Sequence, residues 1–111
     1  MSRPMLSSAG AALLRALLRT AEPDQGRIFL TDLTTTDWHS LTFAGERHVA
    51  GFAVHGAEAM SLAKRWIAGI EDADLPIGNT RFVAEITVTA QPEMREDESV
   101  FLQLEALTLE S

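Results

Sequence analysis

The chain has 111 residues, of which 46% are hydrophobic and 23% are charged, and its formal net charge is −7. This length predicts one domain spanning residues 1–111, and the composition is typical of a soluble globular protein. The negative charge argues against a nucleic-acid partner, because the phosphate backbone would be repelled. There is no cysteine, which excludes disulfides, thiol catalysis and thiolate metal sites. Since no apolar run approaches the roughly 20 residues that span a bilayer, we expect no membrane partner and a cytoplasmic location.

Residues 4–20 are predicted to form a first helix. Their leucines follow two adjacent seams at helical spacing, which are Leu6, Leu13 and Leu17 on one and Leu14 and Leu18 on the other. We expect Ser2 to cap this helix and Pro4 to be tolerated in its first turn. The sequence EPDQG at 22–26 then ends the helix. One contact with a sheet buries only one seam well, so the second seam is predicted to face a partner.

After residue 26 the apolar residues alternate, which is the pattern of β-strands. Three strands are predicted, over residues 27–33, 38–43 and 48–54. The sequence TTTD at 34–37 is interpreted as a turn between the first two strands. Gly45-Glu46 is interpreted as a type II′ turn between the second and third, because that turn favours glycine at its first central position.

A second helix is predicted over residues 57–71, and two further strands over 81–90 and 100–109. The element order is therefore α-β-β-β-α-β-β. Most connections between strands are short enough to be hairpins, which favours antiparallel pairing. The sequence thus predicts an α+β two-layer sandwich, with a mainly antiparallel five-stranded sheet and two helices packed on one face.

This element order resembles the topology of the type III secretion chaperones, although this chain ends in a strand where that family has a closing helix. The resemblance fits a small acidic homodimer with a chaperone-like or adaptor-like role. The α-β-β-β-α portion is also similar in order to double-stranded-RNA-binding domains. The net charge of −7 and the lack of a lysine cluster at the second helix argue against RNA binding.

The segment DWHSLTFAGERH at 37–48 contains two histidines and three charged residues, which makes it the stretch most like a catalytic or metal-binding cluster. The predicted turn pairs Phe43 with His48 and His39 with Phe52. The histidines then lie over about 12 Å apart, because each strand residue advances about 3.3 Å. A metal ion needs its nitrogen ligands within about 2 Å. We therefore predict no catalytic residue, no metal site and no cofactor, and interpret both histidines as structural.

The same register predicts which residues reach the core and which stay available to a partner. The helices are expected to cover the face that carries Leu41, Phe43, Phe52, Ile86 and Leu104. Apolar residues remain in excess outside that face, and large exposed apolar patches usually mark association. The candidate partner-binding residues are Trp38, Val49, Val83 and Phe101 on the sheet, with Leu14, Leu18 and Met60 on the helices.

Two hypotheses of function follow from these features. The leading one is a non-enzymatic protein-interaction module that acts as a homodimer, the commonest closed assembly, and that binds another protein. The alternative is a small-molecule-binding domain or small enzyme with a pocket between helices and sheet. His39, His48 and Trp66 would line that pocket.

Overall fold

Over residues 6–111, two helices and four long strands follow one another in the order α-β-β-α-β-β. The computed structural model describes residues 6–111, so the predicted cap Ser2 and Pro4 lie outside the described residues. The elements are α1 (Ser8–Arg19), β1 (Ile28–His39), β2 (Ala44–Val54), α2 (Ala59–Ile67), β3 (Arg81–Met94) and β4 (Val100–Glu110). Short 3-10 turns lie at Gln25–Arg27 and Ile70–Asp72.

The predicted α+β class and antiparallel sheet are confirmed, but the number and order of strands are wrong. The sheet has four strands in the order β1-β2-β4-β3, and each neighbouring pair is antiparallel. The order α-β-β-β-α-β-β is therefore not observed. The resemblance to type III secretion chaperones and to double-stranded-RNA-binding domains depended on that order, so the observed fold does not support it.

The sequence TTTD at 34–37 belongs to β1 and is not a turn. Threonine is β-branched and fits a pleated strand, and Thr35 pairs with His48 of β2 in an unbroken stretch of the ladder. The turn lies at Ser40–Phe43, where the Ser40 hydroxyl accepts a hydrogen bond from the backbone N–H of Phe43 at 3.1 Å. One long strand therefore replaces the two that were predicted.

Gly45 lies inside β2, contrary to the predicted turn. It pairs with Trp38 on one side and Leu109 on the other. A Cβ atom at Gly45 would lie only 1.9 Å from the carbonyl oxygen of Thr108. The glycine is thus required by the close approach of β4 and not by a turn.

Because the turn lies at Ser40–Phe43 and not at Gly45-Glu46, different residues reach the core from those predicted. Leu41 and Phe43, predicted to be core residues, lie at the turn, where Leu41 is fully exposed and Phe43 is 44% exposed. His39 pairs with Ala44 and not with Phe52.

Both helices cover one face of the sheet, as predicted. Gly10 of α1 packs closely on β1 and β2, since a Cβ there would lie 3.5 Å from Leu33 and 3.7 Å from His48. Trp66 of α2 contacts Phe52 edge-on, with ring centroids 5.0 Å apart. The largest buried apolar residues of this core include Leu13, Leu17, Phe52, Val54, Leu62, Trp66, Ile86, Leu102 and Leu104.

The two helices are also joined by hydrogen bonds. The indole N–H of Trp66 donates to the carbonyl oxygen of Leu17 at 3.0 Å and to the hydroxyl of Thr20 at 2.9 Å. Burying Trp66 therefore leaves no unpaired indole donor. The end of α1 is fixed against α2 by this contact.

Candidate functional site

The sheet face opposite the helices is called the open face here. Strand residues alternate between faces, so Phe52 of β2 points to the helices and Val49 points to the open face. On β4, the paired residues alternate in the same way, with Leu102 in the core and Phe101 on the open face. The open face comprises Phe29, Trp38, Arg47, Val49, Phe82, Phe101, Glu105, Leu107 and Leu109, with Phe43 at its rim.

Aromatic side chains gather at one end of the open face. Trp38 and Phe82 flank Gly45 and Leu109 across the four strands. Phe82 is 40% exposed and contacts Phe43 edge-on, with centroids 6.4 Å apart. Because Gly45 has no side chain, Leu109 lies over it and is itself almost buried.

Two further aromatic residues, Phe29 and Phe101, lie at the other end of the open face, on either side of Ala53. Phe29 is 51% exposed and contacts the His55 ring edge-on at 5.3 Å. Phe101 is half-buried, and the Arg95 guanidinium lies 4.5 Å above its ring. Five of the seven aromatic residues of the chain therefore lie on the open face or its rim, and only Phe52 and Trp66 lie in the core.

An ion pair lies in the middle of the open face, next to Val49 and Leu107. Arg47 of β2 lies 3.7 Å from Glu105 of β4, and both side chains are about one-third exposed. An exposed pair of this kind contributes under about 1 kcal/mol to folding. It places one positive and one negative charge side by side between the two aromatic ends.

Three of the four predicted sheet residues lie on the open face. Trp38, Val49 and Phe101 are half-buried there, with part of each side chain accessible. Val83 does not lie on this face, because it pairs with Thr108 and packs against the core.

A β-bulge explains the misplacement of Val83. The pairing of β3 with β4 skips Ala84, so Val83 pairs with Thr108 and Glu85 with Leu107. One extra residue reverses which side chains face the helices. Under strict alternation Phe82 and Ile86 would share a face, but the bulge directs Phe82 to the open face. Strict alternation in the sequence gives no sign of such a bulge.

The three helix residues predicted to bind a partner are less accessible to solvent than expected. Leu14, Leu18 and Met60 are half-buried and pack against the edge of the core. The second leucine seam of α1 therefore contributes to folding, and only its outer part is left for a partner.

A buried polar network lies where α1 meets the sheet. His48 is 1% exposed, with Nδ1 3.0 Å from the Thr35 hydroxyl and Nε2 2.9 Å from the Thr108 hydroxyl. The Thr108 hydroxyl donates to the carbonyl oxygen of Glu46 at 3.4 Å. It then accepts from Nε2–H of His48, which leaves Nδ1 to accept from Thr35. Burial lowers the pKa of His48, and the Glu46 carboxylate, 3.8 Å from Nε2, opposes this effect.

The same network caps α1. The Ser7 hydroxyl accepts a hydrogen bond from the N–H of Gly10 at 2.9 Å and donates to the Glu46 carboxylate at 2.7 Å. Ser7 therefore links the start of the helix to β2. The prediction of Ser2 as the cap is wrong, because α1 begins at Ser8 and Ser7, which also precedes the apolar run, is its cap.

A cleft of about 240 Å³ opens beside this cap. Its charged and polar lining consists of Ser7, Ser8, Asp37, Glu46, Arg81, Thr108 and Glu110. Arg81 donates to the Ser8 hydroxyl at 3.0 Å. Three carboxylates against one guanidinium give the cleft a negative balance.

The residues of the predicted pocket do not come together. His48 is buried between two threonines, Trp66 is buried between α1 and Phe52, and His39 is exposed at the end of β1. Within residues 6–111, no three histidine or carboxylate side chains are grouped in a way that could hold a metal ion.

Comparisons with known proteins add no identification. No model of a known protein family matches the chain, and no curated protein matches it either. In the part of the chain that the structure describes, no helix is both long and apolar enough to cross a membrane.

Proposed function

We propose that this protein is a non-enzymatic protein-interaction module that acts as a homodimer and binds a further protein through its open face. The observation that carries the proposal is the placement of five of the seven aromatic residues outside the core. Aromatic side chains are enriched at protein interfaces, where they supply large contact area at a low cost in conformational entropy.

The size of the open face fits such a role. β2 has 11 residues, which at about 3.3 Å per residue gives a length of about 36 Å, and four strands give a width of about 19 Å. The resulting area of about 700 Å² is close to the roughly 800 Å² that one partner buries in a stable interface. The central pair Arg47 and Glu105 offers both signs of charge to a partner.

The one buried histidine does not favour an enzyme. Both ring nitrogens of His48 are engaged by threonine hydroxyls, and its ring is enclosed. A general base must reach the proton that it abstracts within hydrogen-bond distance. A substrate would have to displace Thr35 or Thr108 to reach His48.

Selection of peptides from a displayed library tests the open face. Peptides selected on the wild-type protein should bind the Phe82→Ser and Phe29→Ser variants at least roughly 10-fold more weakly, which corresponds to losing about 1.4 kcal/mol. Leu41→Ser is the matched control, because Leu41 is exposed but lies at the turn. Peptides that bind all four proteins equally, or a library that yields no binder, would contradict the proposal.

The cleft beside Ser7 favours a second candidate function, which is binding of a small molecule that carries a cationic group. Its three carboxylates would pair with the cation, and Arg81 with an anionic group if one is present. A panel of small amines, tested by thermal shift, should then raise the melting temperature of the wild type. The rise should shrink in Glu110→Gln, since Glu110 lines the cleft.

A further inference from the structure

The two edges of the sheet are protected to different extents. β3 is interrupted by three register shifts and contains Pro92. The backbone N–H of Val88 on β3 also donates to the Glu71 carboxylate at 2.9 Å. Bulges, proline and covering side chains are the devices that prevent an edge strand from pairing with another chain. The edge formed by β3 is therefore blocked.

The edge formed by β1 lacks these devices over its second half. Leu33–His39 pairs with β2 without a register shift and contains no proline. Its one carboxylate is Asp37, so this segment has little of the negative charge that would repel an identical chain. Three consecutive threonines supply the β-branched side chains that stabilise strand pairing.

The hairpin geometry shows which backbone groups are free. The N–H of Ser40 donates to the carbonyl oxygen of Phe43 at 2.8 Å. Hydrogen-bonded and non-bonded pairs alternate along an antiparallel ladder, so Thr34, Thr36 and Trp38 direct their N–H and C=O groups to β2. The groups of Leu33, Thr35, Asp37 and His39 point away from the sheet. None of the backbone bonds that residues 6–111 form outside helices and strands involves these four residues.

We infer that a second copy of this chain pairs with this edge, β1 against β1 in antiparallel orientation, with the two-fold axis at Thr36. This inference deepens the homodimer in the proposed function and does not depend on the open face. The registers differ in what they bring together. An axis at Asp37 would set two carboxylates opposite each other, which destabilises a pair.

An axis at Thr36 uses all four outward residues. Thr35 lies opposite the partner's Asp37, and Leu33 lies opposite the partner's His39. The two-fold axis repeats each of these two pairings, so the strands form four hydrogen-bonded residue pairs. Each pair exchanges two hydrogen bonds, which gives about eight in total. An axis at Thr35 would leave His39 opposite Thr31, where the ladder is broken by the bulge between Leu30 and Asp32.

The dimer has one continuous eight-stranded sheet. Both pairs of helices lie on one side, and the two open faces lie next to each other on the opposite side. Trp38 stands opposite the partner's Thr34, an aromatic and β-branched pair of the kind that stabilises adjacent strands. The binding surface of the proposed function is doubled and remains accessible.

A single-cysteine variant tests the register, since the chain contains no cysteine. In Thr36→Cys the two introduced residues form a non-bonded pair with Cα atoms about 4.5 Å apart, within the range of a disulfide. Oxidised glutathione should convert this variant to a covalent dimer. In Thr34→Cys the two introduced residues lie about 13 Å apart along the strands, too far for a disulfide. Equal cross-linking of both variants would overturn the register.

A second pair of variants tests the edge itself by light scattering. Asp37→Pro removes an outward N–H and spares the bonds to β2, so the dimer dissociation constant should rise roughly 30-fold for two lost hydrogen bonds. Asp37→Ala keeps the N–H and should remain dimeric. A wild-type monomer at about 500 µM would overturn the inference and the homodimer together. A dimer unaffected by Asp37→Pro would overturn the edge pairing alone, and peptide binding to the open face would stand.

Discussion

Nε2 of His48 lies 2.9 Å from the hydroxyl of Thr108, across β2 and β4 in the interior of the protein. These two residues are 60 positions apart in the sequence. Their contact supplies the hydrogen-bond partner of one of the two ring nitrogens of this buried imidazole. Both ring nitrogens of His48 are engaged, with Thr108 on Nε2 and Thr35 on Nδ1.

Thr108→Val should destabilise the protein more than Thr35→Val. Both substitutions remove a hydroxyl that bonds to His48, but Thr108 is 1% exposed whereas Thr35 is half-buried. Because Thr35 lies nearer the surface, we expect water to reach the unpaired ring nitrogen more readily in Thr35→Val than in Thr108→Val, where an unpaired buried group costs about 1–3 kcal/mol. Urea unfolding of the two variants measures the difference. Equal losses would show that the two ring nitrogens are equally shielded from water.

The stability of the protein should fall as the pH drops below the ordinary histidine pKa of 6.5, in part because of His48. Burial lowers the pKa of His48 in the folded state, so the unfolded chain binds a proton first on acidification. His48→Gln removes this contribution. The free energy of unfolding of the wild type should therefore approach that of His48→Gln as the pH falls from about 7 to about 5. A difference that widens would mean that Glu46 dominates and that the folded state holds the proton.

The class of the fold could be predicted from the sequence, but the pairing of its strands could not. Alternation and helical spacing identify both helices and the general positions of the strands, because these depend on local periodicity. The sequence does not predict the turn at Ser40–Phe43 or the place of Thr35 in a strand, because glycine and aspartate are typical turn residues and stand elsewhere in this segment. Gly45 is required by a contact with Thr108, which lies more than sixty residues away and is visible only in the folded chain.

The residues of the open face could be predicted only in part, because local alternation places some of them and strand pairing places the others. Trp38 and Phe101 were assigned to the open face correctly, since each follows regular alternation. Val83 and Phe82 were exchanged between faces by the bulge at Ala84. No residue type marks such a bulge, because its position is set by how β3 pairs with β4.

Gly45→Ala should be strongly destabilising. Any Cβ at this position would lie 1.9 Å from the Thr108 carbonyl oxygen, a backbone atom that cannot move without disturbing β4. We expect a loss above about 2 kcal/mol, or failure to fold. Gly26→Ala is the matched control, because a Cβ there meets nothing within 4 Å. Its effect should stay within about 0.5 kcal/mol. If Gly45 were a turn residue, Gly45→Ala would change the hairpin and leave the pairing of β2 with β4 intact. Amide hydrogen exchange measures whether the β2–β4 hydrogen bonds stay protected in this variant.

Ser7→Ala tests whether α1 depends on its link to β2. The substitution removes the cap on Gly10 and the hydrogen bond to Glu46, and the loss of a serine cap typically costs about 1 kcal/mol. Ser7→Asp restores an acceptor for the N–H of Gly10 but places a second carboxylate beside Glu46. It should therefore recover less stability than a cap alone predicts, and adding Glu46→Gln should recover the rest. Chemical denaturation of the single and double variants separates the two contributions. Full recovery in Ser7→Asp alone would show that the carboxylate of Glu46 does not face the cap in solution.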